Sequence, residues 1–156
     1  MTETLILKNA RVIATMDDNE REIENGYIEV RDNKIESVGP MDECPDTADH
    51  IIDLSGHVVI PGLINTHHHM FQSLTRALPA AQNGELFDWL SALFPVWRNI
   101  TPAMQRAASR TAMAELMLSG CTTAADHAYL HVNGITLDDS VPVSYTHLRA
   151  HETGRN

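Results

Sequence analysis

Three consecutive histidines, His67, His68 and His69, close the stretch PGLINTHHH, in which a run of apolar residues ends in imidazoles. Successive side chains along a β-strand point to opposite faces, so His67 and His69 share one face and His68 takes the other. Two imidazoles on one face of a strand end make half of a metal site. Zinc in a catalytic site takes about three protein ligands and keeps one position for water. That water loses its proton near neutral pH and becomes a nucleophile. The plainer alternative is a surface or core cluster of histidines bonded to backbone. Context favours the metal, because an apolar strand precedes the triplet, Pro61 and Gly62 turn into it, and a connection toward a helix follows. Loops after strands are where α/β enzymes carry their chemistry. His68, on the wrong face, is expected to pack or bond behind the site.

Other residue types with chemical potential are scattered. Asp126 and His127 end a second strand. They read either as a group near the substrate with a carboxylate partner for its ring, or as a strand-end cap beside an exposed histidine. Trp89, Phe94 and Trp97 offer flat apolar faces suited to a heterocycle, or equally the core of a helical connection. Arg76 reads as an exposed arginine or a contact for a polar substrate group. His50, His57 and His131 read as ordinary loop or strand residues.

The elements that must position these groups follow from periodicity. From Thr4 to Gly39, apolar and polar residues alternate in LILKNARVIAT, GYIEV and KIESVG, which predicts short strands with a tight turn at Asp32 and Asn33. Met41 to Asp49 is acidic, contains Pro45 and reads as a loop. The run HIIDLSGHVVIPGLINTHHH supplies two or three more strands, broken at Ser55-Gly56 and Pro61-Gly62. Leu78 to Gly84 reads as a loop, and ELFDWLSALFPVW as short helical stretches. Thr101 followed by Pro102 starts a helix that Gly120 stops. On that helix Gln105, Arg106, Ser109 and Arg110 form a polar stripe, and Met113, Leu116 and Met117 a packed one. CTTAAD then reads as a buried strand, so that strand, helix and strand make a βαβ unit.

Composition narrows the partners. Eleven Lys and Arg stand against 21 Asp and Glu, a formal charge of −10 with no basic run, which argues against nucleic acid and anionic membrane surfaces. No stretch approaches the roughly 20 apolar residues of a membrane span, and residues 2–14 have no basic leader or apolar core of the signal-peptide kind. Cys44 and Cys121 lie far apart with no framework spacing, which suits a reducing, cytoplasmic compartment.

The segment VVIPGLINTHHHMFQ and the later SGCTTAADH together resemble the amidohydrolase superfamily, most nearly its 8-oxoguanine deaminases and its hydroxytriazine deaminases and chlorohydrolases. The resemblance runs from about Leu5 to Val141. It implies an α/β fold, the N-terminal part of a (β/α)8 metal-dependent hydrolase barrel preceded by a small β-sandwich portion. In these terms residues 1–60 belong to the sandwich and 61–143 to the first βαβ unit of an incomplete barrel. The implied activity of the full-length parent is hydrolytic deamination of an amino-bearing heterocycle by metal-activated water, with s-triazine chloro- or amino-hydrolysis as the alternative. His67 and His69 match the first two metal ligands, with zinc the expected ion and iron the other candidate. Gln72 matches a position that faces substrate, and His127 is carried as a second substrate-side residue. The remaining ligands, two histidines and an aspartate, and the proton-shuttling glutamate are expected downstream, so the catalytic groups fall outside this chain and the chain by itself reads as an inactive N-terminal fragment. The expected partner is a small heterocyclic molecule, with a homo-oligomer for the parent. Residues 144–156, SYTHLRAHETGRN, depart from the family pattern and resemble translated sequencing-adapter read-through; His147 and His151 are accordingly not counted as ligands.

Overall fold

Alternation in the first 40 residues produces three antiparallel strands: β1 (Thr4–Ala14), β2 (Glu22–Arg31) and β3 (Lys34–Pro40). Asp32, in the left-handed region at φ 54°, makes the two-residue turn between β2 and β3. A computed structural model describes residues 3–140 of the chain. The residues before and after that range, including the whole 144–156 tail with His147 and His151, lie outside the described residues. The chain divides between Pro61 and Gly62 into two compact units.

The first unit is one mixed sheet. Two further strands, β4 (His50–Asp53) and β5 (Val58–Val59), run parallel to β1, giving the order β3-β2-β1-β4 with β5 also against β1. An irregularity in β1 between Leu7 and Ala10 separates the half that pairs with β4 from the half that pairs with β5. Asn9 sits there at φ 60°, and its amide donates to Asp53 Oδ1 at 3.2 Å. Asparagine tolerates this conformation better than most residues. Ala10, Ile13 and Ile28 form the buried core of the sheet, with Leu7, Ile23, Val30, Val38, Leu54 and Val59 around them.

The second unit holds β6 (Leu63–His68), α1 (Leu86–Trp97), α2 (Pro102–Leu118) and β7 (Cys121–Asp126). β6 and β7 are parallel neighbours, as a βαβ crossover requires. Thr101 caps α2, its Oγ1 accepting from Met104 N at 3.3 Å, and Pro102 occupies the first turn, where a missing N–H costs nothing. Gly120, at φ 82°, ends the helix and feeds β7. Gly62 is required by contact: a Cβ there would lie 2.2 Å from Thr122 Cγ2 and Oγ1.

Three expectations change here. ELFDWLSALFPVW forms one helix rather than short stretches, because Pro95 lies in the last turn and Asn99 Nδ2 donates to its carbonyl at 2.8 Å. The polar stripe of α2 is half covered, Arg106 and Arg110 remaining exposed. Gln105 and Ser109 are buried, and both reach Ser140 Oγ, at 3.0 and 3.2 Å, while Arg106 pairs with Asp139. A short 3-10 turn, Leu137–Asp139, docks there with its own polar groups, so a second covered face of the helix is polar; Met117, expected to pack, is 38% exposed. Finally, the CTTAAD strand is buried only at Cys121. Thr122 and Thr123 are exposed, because among the described residues β7 has a single neighbour.

Candidate metal centre and its cleft

Two residues that follow the triplet set its position. Met70, 4% exposed, packs with Ala112, Met113, Leu116 and Cys121 of α2 and β7. Phe71, 1% exposed, packs the other way, with Leu93, Trp97, Ile100, Leu130 and Ile135. Adjacent apolar side chains thus anchor the strand exit in two separate clusters. Met70 also opens a 3-10 turn that runs to Thr75 and carries Gln72.

The alternation expected along β6 is observed. His67 Nε2 and His69 Nε2 lie 3.1 Å apart on one face. His68 is half-buried, with Nδ1 lacking a partner among the described residues. His69 Nδ1 is 2.8 Å from the backbone oxygen of His127. A carbonyl only accepts, so this contact places the proton of neutral His69 on Nδ1 and leaves the Nε2 lone pair directed at His67 Nε2. Metal-binding histidines are oriented in this way by their outer nitrogen. Two nitrogens each about 2.0–2.1 Å from one ion at a near-tetrahedral angle stand roughly 3.3 Å apart. The pair therefore fits a shared divalent ion. Among the described residues no group of three or more His, Cys, Asp or Glu side chains comes together around it, so two donors are what these residues contribute.

An open cleft of about 390 Å³ lies beside the pair, lined by the histidines, Gln72, Ser73, Thr75, Arg76, Trp89 and others. That is within the range of small-molecule sites. Gln72 Nε2 donates to the Tyr129 hydroxyl at 3.2 Å. The Tyr129 ring also meets His69 edge-on, with centroids 5.1 Å apart. The His127 ring lies 4.3 Å from that of His67. Arg76 pairs with both carboxylate oxygens of Glu115, an exposed ion pair at the cleft. The arginine hydrogen bonds hold the Glu115 carboxyl below its ordinary range.

The structure divides the aromatic candidates. Trp89 lines the cleft, whereas Trp97 is fully buried, its indole N–H donating to Thr75 Oγ1 at 3.0 Å. Phe94 is 47% exposed and does not line the cleft. The carboxylate of Asp126 does not serve the His127 ring; it accepts from Met70 N at 3.0 Å. It is the His127 backbone that engages the site. His50 pairs with Glu3 and His57 with Ser55 O, both in the other unit. Tyr129 was not singled out by sequence. Its one local signal is its position two residues after His127, where the strand exit is still close to the triplet.

Comparison with known proteins places the chain in a family. The sequence model of the amidohydrolase family matches residues 58–141, more than half of the chain. The chain belongs to the amidohydrolase family. It is 48% identical over 111 residues to 8-oxoguanine deaminase of Pseudomonas aeruginosa, an alignment that covers 70% of this chain and 25% of that protein. Isoxanthopterin deaminase from an unknown prokaryotic organism is 33% identical over 141 residues, covering 86% of this chain and 29% of the relative. Among solved structures, an atrazine chlorohydrolase variant from Arthrobacter aurescens complexed with zinc and atraton superposes with a TM-score of 0.82 at 28% identity, covering 91% of this chain and 33% of that one. The chain spans between a quarter and a third of the length of each of these proteins.

Proposed function

We propose that this chain carries the first metal-binding strand and part of the substrate pocket of a hydrolytic deaminase that acts on an amino-bearing heterocycle of the 8-oxoguanine kind. The observation that carries the reading is the convergence of His67 and His69 at 3.1 Å, with His69 Nδ1 held by the His127 carbonyl. The 48% identity to 8-oxoguanine deaminase supports the substrate class, and the zinc in the chlorohydrolase complex supports zinc as the ion.

His67 and His69 would hold one divalent metal. When bound, it supplies Lewis acidity and water made nucleophilic near neutral pH. The chain's own residues then orient the substrate. Gln72 Nε2 is committed to Tyr129, which leaves the amide oxygen to accept from a ring N–H or amino group. Trp89 offers a flat face to the ring. His127 stands at the rim as a second polar contact. Water replaces the amino group, ammonia leaves and a lactam forms. The remaining ligands and the glutamate that moves the proton come, in this reading, from outside the described residues. Residues 1–60 form the small β portion, 61–143 the first βαβ unit of a (β/α)8 barrel, and 144–156 a foreign tail, in a cytoplasmic enzyme. Among the described residues no helix is long and apolar enough to cross a membrane.

The structural likeness to the chlorohydrolase favours one second reading, hydrolysis of an s-triazine. A panel of amino-purines and chloro- and amino-triazines, offered to a protein extended to the length of its relatives, separates the two. His67→Ala and His69→Ala should each lose metal and turnover together. Retention of both by either variant removes the ligand assignment.

A further inference from the structure

Three consecutive residues at the exit of β6 are tied to two consecutive residues at the exit of β7. His127 N donates to His68 O at 2.7 Å, His69 Nδ1 meets His127 O at 2.8 Å, and Met70 N donates to Asp126 Oδ1 at 3.0 Å. The first two ties use the His127 backbone, which every substitution there except proline retains. Asp126 alone contributes a side chain from β7.

We propose that Asp126 is a positioning residue for His69. His69 has φ −127° and ψ 85°, outside both helix and strand, and the β6–β7 register shifts between Asn65 and His68. No regular ladder therefore sets the direction of its ring. The carboxylate fixes the next peptide instead, through the N–H of a residue whose side chain is anchored in the core. With both neighbours of His69 pinned, its ring is held with Nδ1 on the carbonyl and Nε2 toward His67. A packing role alone does not explain the residue. Asp126 Oδ2 is buried without a partner among the described residues, as is Nδ1 of its register neighbour His68. A half-buried carboxylate with one oxygen unpartnered carries a desolvation cost that an apolar side chain packed there would not. The inference rests on the metal reading for what the ring is held toward, and not for how it is held.

The test uses the 156-residue chain without metal. Long-range proton–nitrogen NMR of its histidines is recorded well above the ordinary imidazole pKa of about 6.5. Wild type should show His69 as the Nδ1–H tautomer. Asp126→Ala should show a mixture of tautomers, and Asp126→Asn, which retains an oxygen acceptor, should restore the single form. In a cobalt titration Asp126→Ala should lose about tenfold or more in affinity, the scale of outer-sphere effects on metal sites, with Asp126→Asn close to wild type. Gln105→Ala, which removes a buried contact between α2 and Ser140 outside the clusters that anchor Met70 and Phe71, controls for simple destabilisation and should change neither readout. The proposal is overturned if Asp126→Ala keeps the wild-type tautomer, if Asp126→Asn fails as Asp126→Ala does, or if Gln105→Ala reproduces the losses. Should Asp126→Ala not fold, Asp126→Glu, which moves the carboxylate by one methylene, replaces it with the same expectation. If wild type, with two donors among its described residues, takes up no cobalt, the tautomer measurement by itself decides the role of Asp126.

Discussion

Strands β1 and β6 are both apolar runs broken by polar residues, yet β1 buries Ile6, Ala10 and Ile13 while β6 leaves Leu63 50% and Ile64 68% exposed. β1 has strands on both sides, β2 on one and β4 and β5 on the other. Among the described residues β6 has β7 alone. The difference shows two ways of holding a strand. β1 is stabilised along its length by its neighbours, whereas β6 is held at its exit, by Met70 and Phe71 in two clusters and by polar ties to Asp126 and His127. The second arrangement concentrates its stabilising contacts at the end where the candidate ligands stand.

The comparison breaks most sharply at Phe71. Phe71→Ala should cost about 3–5 kcal/mol, since the side chain is fully buried and its ring meets Trp97 edge-on at 5.1 Å. Both tryptophans lie in the second unit, so denaturant unfolding followed by their fluorescence reads this loss directly. Within β1, Ile13→Ala should cost about 2–5 kcal/mol, followed by far-ultraviolet circular dichroism. Ile64→Ala in β6 should stay within about 0.5 kcal/mol. Equal losses at Ile13 and Ile64 would end the distinction between the two strands. Gly62→Ala should cost about 1–3 kcal/mol through its collision with Thr122, and Thr122→Gly in the same chain should recover most of it.

The smallest effect expected is at acid pH. Hydrogen bonds from Thr4 hold the Asp49 carboxyl below its ordinary range, and those from Ser55 do the same for Asp53. Because both folded values are depressed, the stabilisation is complete above the ordinary carboxylate range and is lost as pH falls through the lower folded value. Asp49→Asn and Asp53→Asn should flatten the acid limb of the stability curve of the first unit while leaving neutral stability little changed. A limb unchanged in both variants would assign acid sensitivity elsewhere. Both carboxylates are exposed, so screening keeps the contribution small.

Much of this was legible in the chain. Alternation marked β1, β2 and β3, the Asp32-Asn33 turn lies where a short polar pair between two strands predicts it, and Thr101, Pro102 and Gly120 bracket α2. The common face of His67 and His69 followed from strand geometry alone. Other features were not legible. Gln105 and Ser109 read only as part of a polar stripe, because their polarity is local, while the Ser140 that covers them lies more than 30 residues away. Trp97 and Trp89 share a helix, yet one fills the core and the other lines the cleft. Asp126 and His127 were rightly placed at a strand exit, but their partners turned out to be Met70 N and the His69 ring.

By itself, then, the sequence determined the elements, their order and the residue types brought to the end of β6, because strand alternation, caps and turns depend on neighbours in the chain. Tertiary structure alone decided that a backbone carbonyl just beyond β7 sets the tautomer of His69, that Tyr129 occupies the hydrogen-bonding side of Gln72, and which aromatic side chains are core. Those outcomes depend on contacts between segments more than 20 residues apart, made through backbone atoms and packing volumes that carry no local pattern.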